Sequence, residues 1–235
     1  MSSPILFAHR GASALAPDNT IESFSLALKL GANGLESDVW PSIDGHAVLA
    51  HDDNVGSVVR RQRVTRSPAS DLPEHVPTLA SLFEAVGCDF DLSLDIKHPD
   101  AMEPTVNALR EASERTGTDV VGRTWLCHPS FDQLVAWRSR WSDVRLVQST
   151  RLERLPDGPE RHASELFEAQ IDAVNFRAPD WTGGLVVLYH RFDIACFGWD
   201  AHLERVATEL LDRGIDAIFS NYVDRMLAAR ATVYA

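Results

Sequence analysis

Short apolar runs, most of them closed by a polar side chain, alternate with helix-like segments along the whole of this chain. The runs cover residues 5–9, 34–40, 89–97, 123–128, 144–149, 173–177, 193–199 and 214–221. Helical segments are expected at 21–30, 78–86, 103–115, 130–140, 160–170, 183–191, 201–213 and 222–230. Several carry the usual signs of helix ends: Pro17-Asp18-Asn19-Thr20 before the first, Gly31 after it, and Thr78 at the start of the second. A strand–helix rhythm of this kind predicts a parallel sheet, and eight units suggest a closed (β/α)8, or TIM, barrel. A length of 235 residues suits one such domain, and no linker or low-complexity stretch divides residues 1–235.

The rhythm is interrupted once. After the second run, Pro41-Ser42-Ile43-Asp44-Gly45 reads as a turn and residues 46–51 as a strand that pairs back, a small hairpin and loop insertion. Residues 54–77 read as irregular. They contain Arg60, Arg61, Arg63 and Arg66, which make either a solvated loop or a basic rim beside an anionic substrate.

Polar strand ends carry the chemistry. His9 closes the first run and His51 the returning strand, and between them lie Glu36 and Asp38. Two residues apart in a strand, Glu36 and Asp38 project from one face. Two like charges on one face repel unless something positive lies between them, and a divalent cation meets that need. In residues 89–97 the apolar Phe90, Leu92, Leu94 and Ile96 share one face, and Asp91, Ser93, Asp95 and Lys97 share the other. Further polar or aromatic ends are His128, Gln148, Arg177, Trp199 and Asn221. In a barrel such ends meet at one face, where active sites lie. By themselves these residues imply a metal and two histidines.

The motifs also resemble a known family. His9-Arg10-Gly11, Pro17-Asp18-Asn19-Thr20, Glu36-Ser37-Asp38, Asp44-Gly45 and His51-Asp52 stand in the order and near the spacing of the glycerophosphodiester phosphodiesterase family. Asp95-Ile96-Lys97 stands where that family usually has Glu-x-Lys, and Ser130-Phe131-Asp132 resembles another of its motifs. The resemblance implies a TIM barrel and a metal-dependent hydrolase that cleaves glycerophosphodiesters to glycerol 3-phosphate and an alcohol. It implies His9 and His51 as the acid–base pair and Glu36, Asp38 and Asp95 as ligands of one Mg²⁺ or Ca²⁺. It implies Arg10 and Lys97 on the phosphate and Trp199 lining the pocket. Three carboxylates without a metal-spaced cysteine suit a hard cation. Other readings stay open: Arg10 as a partner of Glu36 or Asp38, Asp95 as a partner of Lys97, Trp199 as core packing. Asp52 could orient His51 or cap a turn. The family pattern departs at Asp18, at Asp95, at Asp200-Ala201-His202 and at Ser220-Asn221. Phospholipase D-type activity on lysolipids or sphingolipids, or a silent phosphodiester-binding barrel, are the alternatives.

Bulk properties exclude some partners. A formal net charge of -12 and a pI near 5.1 argue against nucleic acid and polybasic membrane binding. Cys88, Cys127 and Cys196 lie far apart in apolar contexts and read as buried, reduced thiols of a cytoplasmic protein. No secretory signal and no apolar run of transmembrane length is evident; the composition leaves the oligomeric state open. Lys29 and Lys97 are the only lysines beside 20 arginines, which makes a lysine at position 97 informative.

Overall fold

The computed structural model describes residues 3–57 and 60–234, with only the backbone of Arg60. In chain order the elements are β1 (Ile5–His9), α1 (Ile21–Leu30), β2 (Gly34–Pro41), β3 (Ala47–Leu49), β4 (Asn54–Ser57), β5 (Arg60–Arg63) and α2 (Leu79–Val86). Then come β6 (Asp91–Ile96), α3 (Met102–Thr116), β7 (Thr124–His128), α4 (Phe131–Arg140), β8 (Arg145–Ser149) and α5 (Gly158–Glu168). The chain ends with β9 (Ala173–Arg177), α6 (Gly183–His190), β10 (Ala195–Trp199), α7 (Glu204–Asp212), β11 (Ala217–Ser220) and α8 (Val223–Val233). β1, β2 and β6 to β11 pair in parallel in that order, and β11 pairs back with β1. The sheet closes into the expected (β/α)8 barrel.

Alternation along the strands gives two cores. Leu6, Leu35, Leu92, Leu94, Leu126 and Leu146 face outward under the helices. Phe7, Trp125, Val147, Phe197 and Phe219 face inward and fill the lumen. Phe7 stacks on Phe219 with centroids 4.8 Å apart, and Trp125 meets Phe197 edge-on at 4.8 Å. The lumen is thus a packed plug, and polar groups can gather only above it. Gly34 makes room for that plug, because a Cβ there would lie 2.7 Å from Phe7 Cδ1.

The helices start where the loops from the strand ends arrive. Thr20, Thr78, Ser130 and Thr182 each accept a backbone N–H from the first turn of α1, α2, α4 and α6. Such caps contribute about 1 kcal/mol each and fix the loops on the C-terminal face of the barrel. At the opposite face, side chains lock strand starts. Asn33 Oδ1 accepts from Leu6 N–H, Asp172 Oδ2 from Leu146 N–H, and Asp216 Oδ2 from Cys196 N–H. The last lock also holds His190 Nε2 at 2.7 Å, which gathers His190, Cys196 and Asp216 far from the strand ends that carry the motifs.

Two expectations need correction. β2 and β3 form the expected hairpin, but the stretch after it is less irregular than it reads. β4 and β5 pair as a second, antiparallel ribbon, and short 3-10 turns follow at Val64–Arg66 and Ala69–Asp71. The reason is packing: Val48 and Ala50 of the returning segment need cover, and Val64 and Leu72 supply it in a satellite core. Second, residues 89, 90 and 97 lie outside β6, although Phe90 still packs outward. The three cysteines are unpaired and buried. Among the described residues no helix is long and apolar enough to cross a membrane.

Candidate active site

Strand register assembles the site. His9 is paired with Glu36 across β1 and β2, and Asp38 with Asp95 across β2 and β6. All four belong to the inward-facing series of their strands, above the aromatic plug. Glu36 and Asp38 are buried, 6% and 2% exposed, at the end of a strand rich in apolar neighbours. His9 Nε2 lies 3.8 Å from Glu36 Oε2, and its Nδ1 lies 2.7 Å from Asn221 Oδ1.

Beyond β1 the chain turns sharply. Arg10 and Gly11 both have positive φ, 54° and 79°. That turn aims the Arg10 N–H at Glu36 Oε2, 2.9 Å away, and brings its Nε to 3.2 Å from Asp38 Oδ2. Asn19, also at positive φ, returns to donate from Nδ2 to Asp38 Oδ2 at 3.3 Å and accepts Ser37 Oγ–H on Oδ1 at 2.7 Å. Lys97 Nζ reaches Asp38 Oδ1 at 2.8 Å and Asp95 Oδ2 at 3.2 Å. Lys97 stands between the two aspartates. Arg10 thus pairs with Asp38, and Asp95 with Lys97.

Electrostatics single out Glu36. Burial, then the charges of Asp38 and Asp95, push its carboxyl well above the usual range. A buried carboxyl facing two further carboxylates is short of positive charge on its open side. The all-oxygen donor set answers to a hard divalent cation, so the residues present fit one. Burial alone would lower the Lys97 ammonium, but Asp95 and Asp38 outweigh it and hold it above its ordinary value. Burial, and next the Arg10 charge, lower His9.

The model of the glycerophosphoryl diester phosphodiesterase family matches residues 9–225. The chain belongs to that family. Membership makes it an enzyme, a phosphoric diester hydrolase of the glycerophosphodiester class. A glycerophosphodiester phosphodiesterase of Caldanaerobacter subterraneus is 31% identical over 128 residues, which cover 46% of this chain and 53% of the relative. A probable glycerophosphodiester phosphodiesterase 2 of Mycobacterium tuberculosis is 28% identical over 94% of this chain and 88% of its own. An Oleispira antarctica phosphodiesterase, solved in complex with the product sn-glycerol-3-phosphate, has a TM-score of 0.80 at 21% identity over 96% of each chain. At that identity the likeness is one of fold.

Within this family member the second histidine stands apart from the carboxylates. His51 lies beyond β3, its side chain 45% exposed, with Nδ1 3.1 Å from Asp52 Oδ1. It borders a cavity of about 250 Å³ together with Asp18, Asn19 and His75. His9, Arg10 and Asn221 border a neighbouring cavity of about 350 Å³, and Asp18 lines both. The two histidines thus look into adjoining spaces on either side of one carboxylate. Arg61 lines a further cavity, which meets the His51 cavity at Gly56 and His75. The Arg60 side chain lies outside the described residues. A cavity of about 750 Å³ runs between the hairpin turn and α3, and none of the residues named for chemistry lines it. Charge and register, rather than cavity size, make the mouth above β1, β2 and β6 the candidate site.

Trp199 ends β10 with its ring on the inward side, beside the lumen cluster, and Arg151 and Arg177 lie 5.7 and 5.8 Å from the ring centroid. Two polar strand ends do not join the mouth. Gln148 faces outward and bonds His162 Nε2 at 2.7 Å, and the His128 ring lies 5.0 Å from that of Trp137. Both have the outward parity of their strands. Sequence reasoning gives Asn19 a place in the helix start and in the Pro17-Asp18-Asn19-Thr20 motif but no role of its own in the site. Its place two residues before the helical run gave no sign that its side chain would reach Asp38.

Proposed function

We propose that residues 1–235 form a single-domain hydrolase of glycerophosphodiesters, releasing glycerol 3-phosphate and an alcohol with the aid of one Mg²⁺ or Ca²⁺. The observation that carries this reading is the register that sets His9 beside Glu36 and Asp38 beside Asp95 on one inward face. Glu36, Asp38 and Asp95 would hold the cation, which when bound supplies positive charge against the phosphate and the charge developing on it.

The chain's own groups supply the rest. His9 is held below its ordinary pKa by burial and Arg10, so it is neutral near pH 7 and can take the proton of the attacking water. His51, whose Nδ1 lies 3.1 Å from Asp52 Oδ1, gives a proton to the departing alkoxide oxygen. The bond to the alcohol oxygen breaks as the bond from water to phosphorus forms. Arg10 and Lys97, released in part from Asp38, contact the non-bridging phosphate oxygens. Trp199 offers an apolar wall for the glycerol or alcohol carbons.

Incubation with glycerophosphocholine, with and without EDTA, tests the reaction: glycerol 3-phosphate should accumulate and EDTA should stop it. His9→Ala and His51→Ala should each lower turnover at least about 10²-fold with folding retained. Near-normal turnover in either would remove that histidine from the mechanism. A second substrate class, lysolipids or sphingolipids, would need an apolar rim at the mouth; Leu15 and Leu203, 68% and 56% exposed on the loops after β1 and β10, are the side chains that could supply one. Lysophosphatidylcholine turnover above that of glycerophosphocholine would favour the phospholipase D-type reading.

A further inference from the structure

Four groups connect the tip of β10 to the end of β1. Asp200 Oδ1 lies 3.4 Å from His202 Nε2. His202 Nδ1 accepts the Asn221 backbone N–H at 3.4 Å, and the Asn221 carbonyl accepts Ala14 N–H at 3.4 Å. Asn221 stands one step beyond the Ala8–Ser220 pair of β1 and β11, which puts its side chain beside His9. Its Oδ1 is 2.7 Å from His9 Nδ1.

We infer that Asn221 is a positioning residue for His9: its amide oxygen fixes the imidazole as the Nδ1–H tautomer and leaves the Nε2 lone pair facing the carboxylate cluster. The two ring nitrogens have unequal choices. At 2.7 Å, Nδ1 is at full hydrogen-bond distance from Asn221 Oδ1. At 3.8 Å, Nε2 is beyond hydrogen-bond reach of Glu36 Oε2, and that oxygen already accepts the Arg10 N–H. A single ring proton therefore gains a strong bond on Nδ1 and none of comparable quality on Nε2.

The consequence concerns catalysis and rests on the acid–base reading of His9. A base needs its lone pair aimed at the reacting proton. A ring without the Asn221 bond can turn or change tautomer, which puts an N–H where the lone pair is needed. An amide does this with no net charge, so it orients the ring without adding a fourth anion to Glu36, Asp38 and Asp95.

The test combines ¹⁵N–¹H correlation spectra of histidine-labelled protein with steady-state kinetics on glycerophosphocholine. Spectra are taken at about pH 8, where the imidazole is neutral, and His9 is assigned by its loss in His9→Ala. Wild type should show His9 protonated on Nδ1. Asn221→Leu should lose that single tautomer and lower kcat at least about 10-fold with KM changed less than about twofold. Asn221→Asp, which keeps an acceptor, should retain the tautomer and recover part of kcat. An Nε2–H tautomer in wild type would overturn the inference, even if Asn221→Leu failed to fold. So would Asn221→Leu with tautomer and kcat unchanged. Undiminished turnover by His9→Ala would overturn the acid–base reading instead, and the catalytic role of Asn221 with it, whatever the tautomer.

Discussion

Lys97 Nζ lies 2.8 Å from Asp38 Oδ1, and the same ammonium touches Asp95 at 3.2 Å. A compact cation thus bridges the two strands that carry the carboxylates. A planar guanidinium has a different shape and a longer reach, and it would press on Asp38, which Arg10 and Asn19 already hold. Lys97→Arg should therefore cut kcat/KM strongly, by about 10²-fold. Lys29→Arg, exposed on α1, should leave it unchanged. Kinetics of the two variants side by side decide; equal, mild effects would defeat the argument.

Asp95 is a carboxylate where the resemblance expects the longer glutamate. Mg²⁺ asks for near-octahedral oxygens at about 2.0–2.1 Å, whereas Ca²⁺ accepts about 2.3–2.6 Å and irregular geometry. A ligand one methylene short should cost Mg²⁺ more. Asp95→Glu should raise the ratio of Mg²⁺-supported to Ca²⁺-supported activity, and Asp95→Ala should weaken metal affinity and activity together. Titration calorimetry with each ion measures this. Unchanged affinity in Asp95→Ala would leave Asp95 as a partner of Lys97 alone.

Gly11 cannot carry a side chain. At φ 79° an added Cβ would lie 2.6 Å from the Ser23 carbonyl carbon and 2.8 Å from Phe24 N, backbone atoms at the start of α1. The turn that aims Arg10 N–H at Glu36 depends on that close approach. Gly11→Ala should lower stability on the order of 3 kcal/mol, from left-handed strain plus the clash. Urea denaturation reads the loss, and a variant within about 0.5 kcal/mol of wild type would show that the loop relaxes freely.

His162 gives the protein an acid-sensitive core. It is buried between Gln148 Oε1 at 2.7 Å and the Tyr189 hydroxyl at 2.8 Å, and burial lowers its pKa to about 4. The folded value lies below the ordinary 6.5, so the unfolded chain takes up the proton first. The neutral ring's contribution is complete above pH 6.5 and is lost as pH falls toward about 4. At about 1.4 kcal/mol per pKa unit, the loss is on the order of 3 kcal/mol. Denaturation at about pH 7.5 and about pH 4.5 should show wild type losing roughly that much more than His162→Gln. Parallel pH dependences would contradict the assignment.

Local chemistry wrote most of this fold into the sequence. Apolar runs with period-two faces, Thr and Ser at helix starts and Gly31 after α1 define elements through contacts within a few residues. That is why the eight units, the hairpin at Asp44-Gly45 and the polar face of β6 were legible. A polar residue closing an apolar run was an ambiguous sign: His9, Glu36, Asp38 and Asp95 share the inward parity, whereas His128 and Gln148 face outward and pack beside Trp137 and His162. Register between strands is a different matter. Whether His9 meets Glu36 or another residue depends on barrel closure, which brings β1 against both β2 and β11 over more than 200 residues of chain. Tertiary structure alone decided that Lys97 would stand between Asp38 and Asp95 and that Asn19 would reach back to Asp38. It alone paired Asn221 with His9, turned Gln148 outward to His162, and paired Asn54–Ser57 with Arg60–Arg63 in a ribbon whose Val55 packs beside Val48. Each of those contacts joins residues whose separation in sequence gives no local signal, and each is fixed by the same requirement: inward and outward faces of every strand must be filled at once.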